Sequence, residues 1–491
     1  MSNPFHRDLS TRLVAGLIGL IGCFPSDAPA QDREARIGEG KAIVDVAVAP
    51  VELEAHVGYL ASDELAGRDT GSEGERLATA YIAERLAACG IEPAGDDGYL
   101  QRVPLAVGAA TDEPSLIGIT GDGERVEYAF GVDFSVYTWG SRSGRFEVVD
   151  AASSASIETA PRCAVFVDES GSARRAVGSR LVELGQDAPA LAILRGPKSP
   201  GRAGGRLPTG RLGRMADVDV PPILRARGDL LEDLETGRLG AIEVDLRYAF
   251  ERTEAHNVVA RIPGRGTPER PELADEVVVL SAHIDHLGVR PPSEGEAEAV
   301  DSIYNGADDD ASGVAALLEV AESIALGGAA AREVVLLFAT GEERGLLGTY
   351  KYLDRPVAPL ERTCFNLNFE MLGRPDVLAG GAGQMWLTGY ERTTLGPGLA
   401  ALGIALTPDP RPEQNFFMRS DNIAFVYRDI PGQTLSSYDL HEDYHTAGDE
   451  WHTLDYEHMA AAVTLAVRAT RAVVDGEVEL EWLEGGRIGD R

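Results

Sequence analysis

His283, Asp285, Glu342, Glu343 and Glu370 share one property: each stands just past a run of residues that reads as a β-strand. VVVLSA (277–282) leads into His283-Ile284-Asp285, VVLLFAT (334–340) into Gly341-Glu342-Glu343, and CFNLNF (364–369) into Glu370. Asp308-Asp309-Asp310 lies directly before a helical run that starts near Ala311. His441-Glu442-Asp443-Tyr444-His445 follows, with Asp449 four residues on. Taken singly, each group has an ordinary explanation. An acidic pair suits a helix N-terminus, and three aspartates before a helix suit its cap. Together they are harder to dismiss, because clustered carboxylates repel one another unless a cation is present. Imidazole and carboxylate without thiolate suit zinc, with manganese or cobalt as substitutes. Two histidines and four carboxylates fit a pair of sites sharing one carboxylate better than a single site.

The positioning elements are legible too. Residues 277–282 and 334–340 are continuously apolar, as strands buried on both faces must be. ASGVAALLEVAESIAL (311–326) between them reads as a helix stopped by Gly327-Gly328. Open sheets of this kind bind ligands beyond the carboxyl ends of their strands, where the acids and histidines fall. The expected fold is α/β: a mixed, mostly parallel sheet sandwiched by helices. Upstream, Ser72-Glu73-Gly74-Glu75 has capping-box spacing and opens a helix that Gly90 ends. From 110 to 247 the texture is short β-rich runs, including CAVFVDES (163–170), APALAILRG (188–196) and IEVDLRYAF (242–250). The catalytic domain is therefore expected over 48–109 and 248–475, interrupted by a β-rich insertion at 110–247 and followed by a tail at 476–491. Arg202, Arg206, Arg211 and Arg214 in the Gly/Arg/Pro-rich stretch 197–214 read as a solvated loop.

Composition narrows the function. Of 491 residues 44% are hydrophobic and 25% charged, and 45 basic against 79 acidic residues leave a net charge of −34. A chain this acidic repels phosphate backbones, so nucleic acid is not an expected partner. The four cysteines are far apart and form no CxxC pair, which excludes a disulfide scaffold. LVAGLIGLIGCF (13–24), preceded by Arg7 and Arg12, is too short to span a bilayer but fits the apolar region of a signal peptide. Ala28-Pro29-Ala30 offers an ordinary cleavage site ending a signal at residue 30; Leu20-Ile21-Gly22-Cys23 offers a lipoprotein-type site with a lipid anchor at Cys23. A polar linker at 31–47 would follow. Export to the periplasm, cell envelope or exterior is expected, with no transmembrane span.

AHIDHLG (282–288), NGADDDASGVAALLE (305–319), ATGEERGLLGTYKY (339–352), NLNFEMLGR (366–374), RSDNIAF (419–425) and HEDYHTAGDE (441–450) resemble the co-catalytic zinc aminopeptidases, the family of bacterial leucyl aminopeptidase and, more distantly, glutamate carboxypeptidase. LASDELAGRDTGSEGE (60–75) is similar to the approach found in the same enzymes, and the β-rich segment to their inserted protease-associated domain. The resemblance implies a zinc-exopeptidase-like fold, two zinc ions and peptide substrates cleaved at the N-terminal residue. By motif, His283, Asp308 and Glu370 would hold one zinc, and Asp308, Glu343 and His445 the other, with Asp308 bridging. Glu342 would be the general base acting on a metal-activated water, and Asp285 would orient the His283 ring. The Asp308-Asp309 peptide would be cis. Departures from the family pattern are Glu370 in place of aspartate, Asn422 in place of histidine, and Phe417 in place of a tyrosine that assists the oxyanion. Phe416, Phe417, Met418 and Phe425 are candidates for an apolar substrate pocket. Carboxypeptidase or glutaminyl cyclase activity on this scaffold, or a metal-free binding module, are the alternatives.

Overall fold

A computed structural model describes residues 47–489, apart from 139–140, 151–162, 168–190, 197–210, 215–221, 291–300 and 329. The signal region, Cys23, most of the linker, and Arg202 and Arg206 lie outside the described residues, as do the side chains of Arg211 and Arg214.

The elements that carry the site are α1 (Pro50–Leu60), α2 (Glu73–Ala88), β1 (Leu100–Ala110), β2 (Tyr248–Ile262), β3 (Val277–His283), α3 (Gly313–Leu326), β4 (Glu333–Ala339), β5 (Thr363–Phe369), β6 (Gly432–Ser436) and α4 (Tyr456–Val474). Among the described residues the main sheet runs 407–408, 386–387, β6, β5, β3, β4, β2, β1, 211–214. The central strands β6, β5, β3 and β4 are mutually parallel, and β2 and β1 continue antiparallel. Every residue of β3 and β4 is buried, which is why both read as unbroken apolar runs. Helices α1, α2, α3 and α4 pack on one face around Leu53, Ile82, Leu317 and Val463, while the other face holds Val279, Leu337, Tyr352 and Phe425. The sequence reading of a mixed α/β sheet flanked by helices is met, but not its mostly parallel part: the parallel pairing is concentrated in the four central strands, and antiparallel pairings are as numerous across the sheet.

The Ser72 hydroxyl caps α2 by accepting from the Glu75 amide at 3.2 Å. Glu75 returns the favour one residue earlier than a capping box would, accepting from Gly71 N–H at 2.6 Å, and its other oxygen meets the Thr340 hydroxyl at the end of β4. The cap thus ties α2 to the edge where the acids gather.

β1 and β2 pair along their length, from Tyr248↔Ala110 to Val258↔Leu100. Between them the chain builds a second sheet, whose strands run from Ser115 to Leu246, with its own core of Phe134, Ile193, Leu224, Leu230 and Ile242. The expected strands form over Cys163–Val167 and Leu191–Arg195; IEVDLRYAF divides between a strand ending at Leu246 and β2.

Candidate metal centre

His283 is the last residue of β3, Glu342 and Glu343 follow β4, and Glu370 follows β5. The loop after β6 brings His441 and His445 to the same edge, and the turn Ala307–Ser312 brings the three aspartates there before α3. Two donor groups result, each with ligand atoms within 4.8 Å of one another: His283, Asp309 and Glu370; and His286, Asp309 and Glu343.

The shared carboxylate is therefore Asp309, one residue after the Asp308 expected from the motif. Asp309 Oδ1 lies 3.1 Å from His283 Nε2, and Oδ2 lies 3.1 Å from His445 Nε2. Asp308 turns away: its Oδ1 accepts from Gly373 N–H at 2.7 Å and its Oδ2 faces His441 Nε2 at 3.1 Å. The reason is the backbone. Asp449 accepts the amides of both Asp308 and Asp309, Gly306 enters the turn at φ +57°, and the cis peptide is Asp309-Asp310 rather than Asp308-Asp309. A Cβ on Gly306 would stand 2.2 Å from the Asp309 carbonyl, so only glycine fits there. Asp310 is consumed by structure, accepting the backbone amides of His283, Gly313 and Met371.

Asp285 also differs from expectation. It is the Asp285 backbone carbonyl, at 3.0 Å, that accepts from His283 Nδ1; its carboxylate stands 3.8 Å off and instead accepts from the Thr70 hydroxyl and the Glu342 amide. The ring is oriented all the same. With Nδ1 donating, a neutral His283 turns a lone pair toward Asp309, and Nε2 has no hydrogen-bond partner. Glu343 Oε1 lies 3.1 Å from His445 Nε2 and 3.0 Å from His286 Nδ1, yet both His286 nitrogens and Glu343 Oε1 also lack hydrogen-bond partners. Buried lone pairs aimed at carboxylates without hydrogen bonds are what a cation site leaves behind.

Within the cluster the imidazoles and carboxylates shift one another strongly. Burial alone would lift Asp309, but the His283 and His445 imidazoles hold it well below the usual carboxylate range. Burial opposes His283 protonation, yet the carboxylates of Asp310, Asp309 and Glu342 outweigh it and hold the ring well above its ordinary value. Glu343 is drawn down to about 2 against its burial by His286 and His445. Glu370 is pushed up to about 7, and Glu342 well above its usual range, both chiefly by burial.

Two participants escaped the motif reading: His286 and Arg68. Arg68, 1% exposed, is the buried cation beside the acids. Its signal in the sequence is an arginine inside Gly67-Arg68-Asp69, close to a site with surplus acid. His452 is exposed and takes no part. Of the apolar candidates only Phe416 lines the pocket beside Glu370; Phe417 and Phe425 pack into separate cores, and Met418 packs against that of Phe417.

Residues 257–470 match the family model described as Peptidase family M28. Leucine aminopeptidase 1 of Trichophyton equinum is 35% identical over 117 residues, 23% of this chain and 26% of its own length. Probable lipoprotein aminopeptidase LpqL of Mycobacterium tuberculosis is 28% identical over 170 residues, 34% of this chain and 29% of its own. The chain spans between a quarter and a third of these curated relatives. Among solved structures, the aminopeptidase from Aneurinibacillus sp. strain AM-1 is 18% identical and superposes with a TM-score of 0.53, covering 90% of this chain and 98% of that one, which establishes the shared fold.

Proposed function

We propose, from the match of residues 257–470 to peptidase family M28, that the chain is an exported, zinc-dependent aminopeptidase that removes N-terminal residues from peptides. The carrying observation is Asp309, whose two oxygens each lie 3.1 Å from a different imidazole. A carboxylate so placed can serve two cations at once. One zinc would be held by His283, Asp309 and Glu370, the other by Asp309, Glu343 and His445, with His286 beside it. Zinc bound there would polarise the scissile carbonyl and acidify a water.

The remaining chemistry belongs to the chain. Glu342 makes no side-chain hydrogen bond to a described residue, and its backbone amide is fixed by Asp285 Oδ1 at 3.0 Å. It would take a proton from water at the cluster and return it to the departing amine. Asp285, tied to Thr70 and Glu342, sets the geometry of both the His283 ring and the base. The acid-rich edge suits a substrate's α-ammonium, which would fix cleavage at the first residue.

The second sheet is read as a protease-associated-like insertion, supported by its own core and its paired stem β1–β2. Among the described residues no helix is long and apolar enough to cross a membrane. Export rests on the apolar run 13–24, and the Leu20–Cys23 site together with the lipoprotein name of the mycobacterial relative favours a lipid anchor at Cys23.

The test pairs zinc content per chain with hydrolysis of aminoacyl anilides bearing free or acetylated amines. About two zinc ions, chelator-sensitive turnover and loss of turnover on acetylation are expected. Full activity in metal-free protein, or equal rates on blocked substrates, would overturn the reading.

A further inference from the structure

Beside Glu370 opens a small pocket whose walls are aromatic: Trp386, Phe416, Tyr438 and Tyr444. The rings are in mutual contact, with centroids 5.3 Å apart for Trp386–Phe416, 5.7 Å for Phe416–Tyr438 and 5.3 Å for Tyr438–Tyr444. Such walls would suit any apolar side chain, but their polar atoms tell more. Trp386 is 2% exposed, and its indole N–H has no hydrogen-bond partner. The Tyr438 and Tyr444 hydroxyls find no partner among the described residues either.

Arg419 completes the lining. Its guanidinium carbon stacks 5.1 Å from the Phe416 ring centre, and no carboxylate among the described residues pairs with it. Arg419 is exposed, so its guanidinium is open to a ligand entering the pocket. Besides the Glu370 carboxylate and the hydroxyls of Thr388, Ser420, Thr434 and Ser436, the lining holds one cation, Arg419, and three donors without partners, Trp386, Tyr438 and Tyr444, a set that can meet an anionic oxygen pair. Peptides carry one such group: the carboxylate.

We propose that this pocket binds a carboxylate of the substrate through Arg419, with the Trp386, Tyr438 and Tyr444 donors around it, making the enzyme selective for acidic peptides. This rests on the aminopeptidase reading above and deepens it. The carboxylate has two sources: the side chain of an N-terminal Glu or Asp, or the free C-terminus of a very short peptide. Either lies beside Glu370, and hence beside the candidate metal centre.

The experiment compares isosteric pairs that differ only in that charge. For the side-chain source, kcat/KM is measured on glutamyl and glutaminyl anilides; for the terminal source, on Leu-Gly and its amide. Binding of L-glutamate and L-glutamine to the zinc-loaded protein is measured by calorimetry alongside. A charged-group preference of about tenfold or more is expected in one pair, from the strength of an arginine–carboxylate contact. Arg419→Ala should bring that ratio to about one, and Arg419→Lys should keep part of it. Ratios near one in the unmodified protein, or ratios indifferent to Arg419→Ala, would overturn the inference while leucyl anilide turnover left the aminopeptidase reading intact. Conversely, a glutamate preference in calorimetry without hydrolysis of any anilide would support this pocket and sink the peptidase reading. Absence of both would overturn each.

Discussion

The Arg68 guanidinium donates to the Gly306 carbonyl at 2.9 Å, pinning the residue that opens the aspartate turn. The same side chain donates to the carbonyls of Leu60, Ile284 and Asn305, at 2.6, 2.8 and 2.6 Å. One buried cation thus joins the end of α1, the loop after β3 and the aspartate turn. It also supplies countercharge to Asp285, Asp449, Asp309 and Asp310.

Arg68→Met keeps the apolar stem and removes the charge, stranding these carbonyls. Loss of a buried charge partner costs roughly 3–5 kcal/mol. Thermal melts should show a large fall in Tm, and zinc content should drop because the turn is released. A variant that melts like the parent and keeps its zinc would show that the acids do not depend on Arg68.

Asp309→Asn and Asp308→Asn separate the neighbours. Since Asp309 faces both His283 and His445, its amide should weaken zinc at both sites together. Asp308→Asn retains an oxygen for Gly373 N–H and should keep zinc near the parental level. Metal analysis of the two proteins decides; the reverse pattern would restore Asp308 as the shared group.

That neighbouring pair also marks where the sequence stops being informative. Strand ends at His283, Glu342 and Glu370 follow from apolar runs and what comes after them, and the cap at Ser72 follows from spacing. Three consecutive aspartates are chemically identical letters, so nothing in their order tells which one faces the histidines. The choice is made by Asp449 taking two amides and by Gly306 at positive φ, both contacts formed across the fold. Arg68 and the Arg419 pocket were hidden for the same reason: Arg419 adjoins Phe416 in sequence, whereas Trp386 and Tyr438 join them only through the sheet edge and the loop after β6.

Glu342 and Glu343 are adjacent but differently placed. Glu343 sits against His286 and His445, whereas Glu342 is fixed through its amide and leaves its carboxylate without a described hydrogen bond. Glu342→Gln keeps size but cannot accept a proton, so kcat should fall on the order of 10²–10⁴-fold with zinc retained. Glu343→Gln should instead lose zinc from one site. Zinc loss in the Glu342 variant, with zinc kept in the Glu343 variant, would exchange the roles.

His458 offers a pH test away from the candidate ligands. Its Nδ1 accepts from Gly383 N–H at 2.8 Å and its Nε2 stands 3.0 Å from the Ser437 hydroxyl, so the buried ring is held neutral. Burial is the chief cause that lowers its pKa below the ordinary value, against the pull of Asp455, Asp308 and Asp439. In the unfolded chain the ring takes up a proton below pH ~6.5 that the folded protein refuses. The unfolded state then binds more protons, so stability increases with pH across this window. The contribution is complete above pH ~6.5 and is lost as pH falls toward the lowered folded value. His458→Gln cannot titrate and can still accept from Gly383. Urea midpoints of zinc-loaded protein at pH 5 and pH 7.5 should therefore differ less in His458→Gln than in the parent. Any metal-linked acid sensitivity is common to both proteins and cancels in that difference. An unchanged or steeper pH dependence in the variant would mean that His458 is not held neutral in the fold.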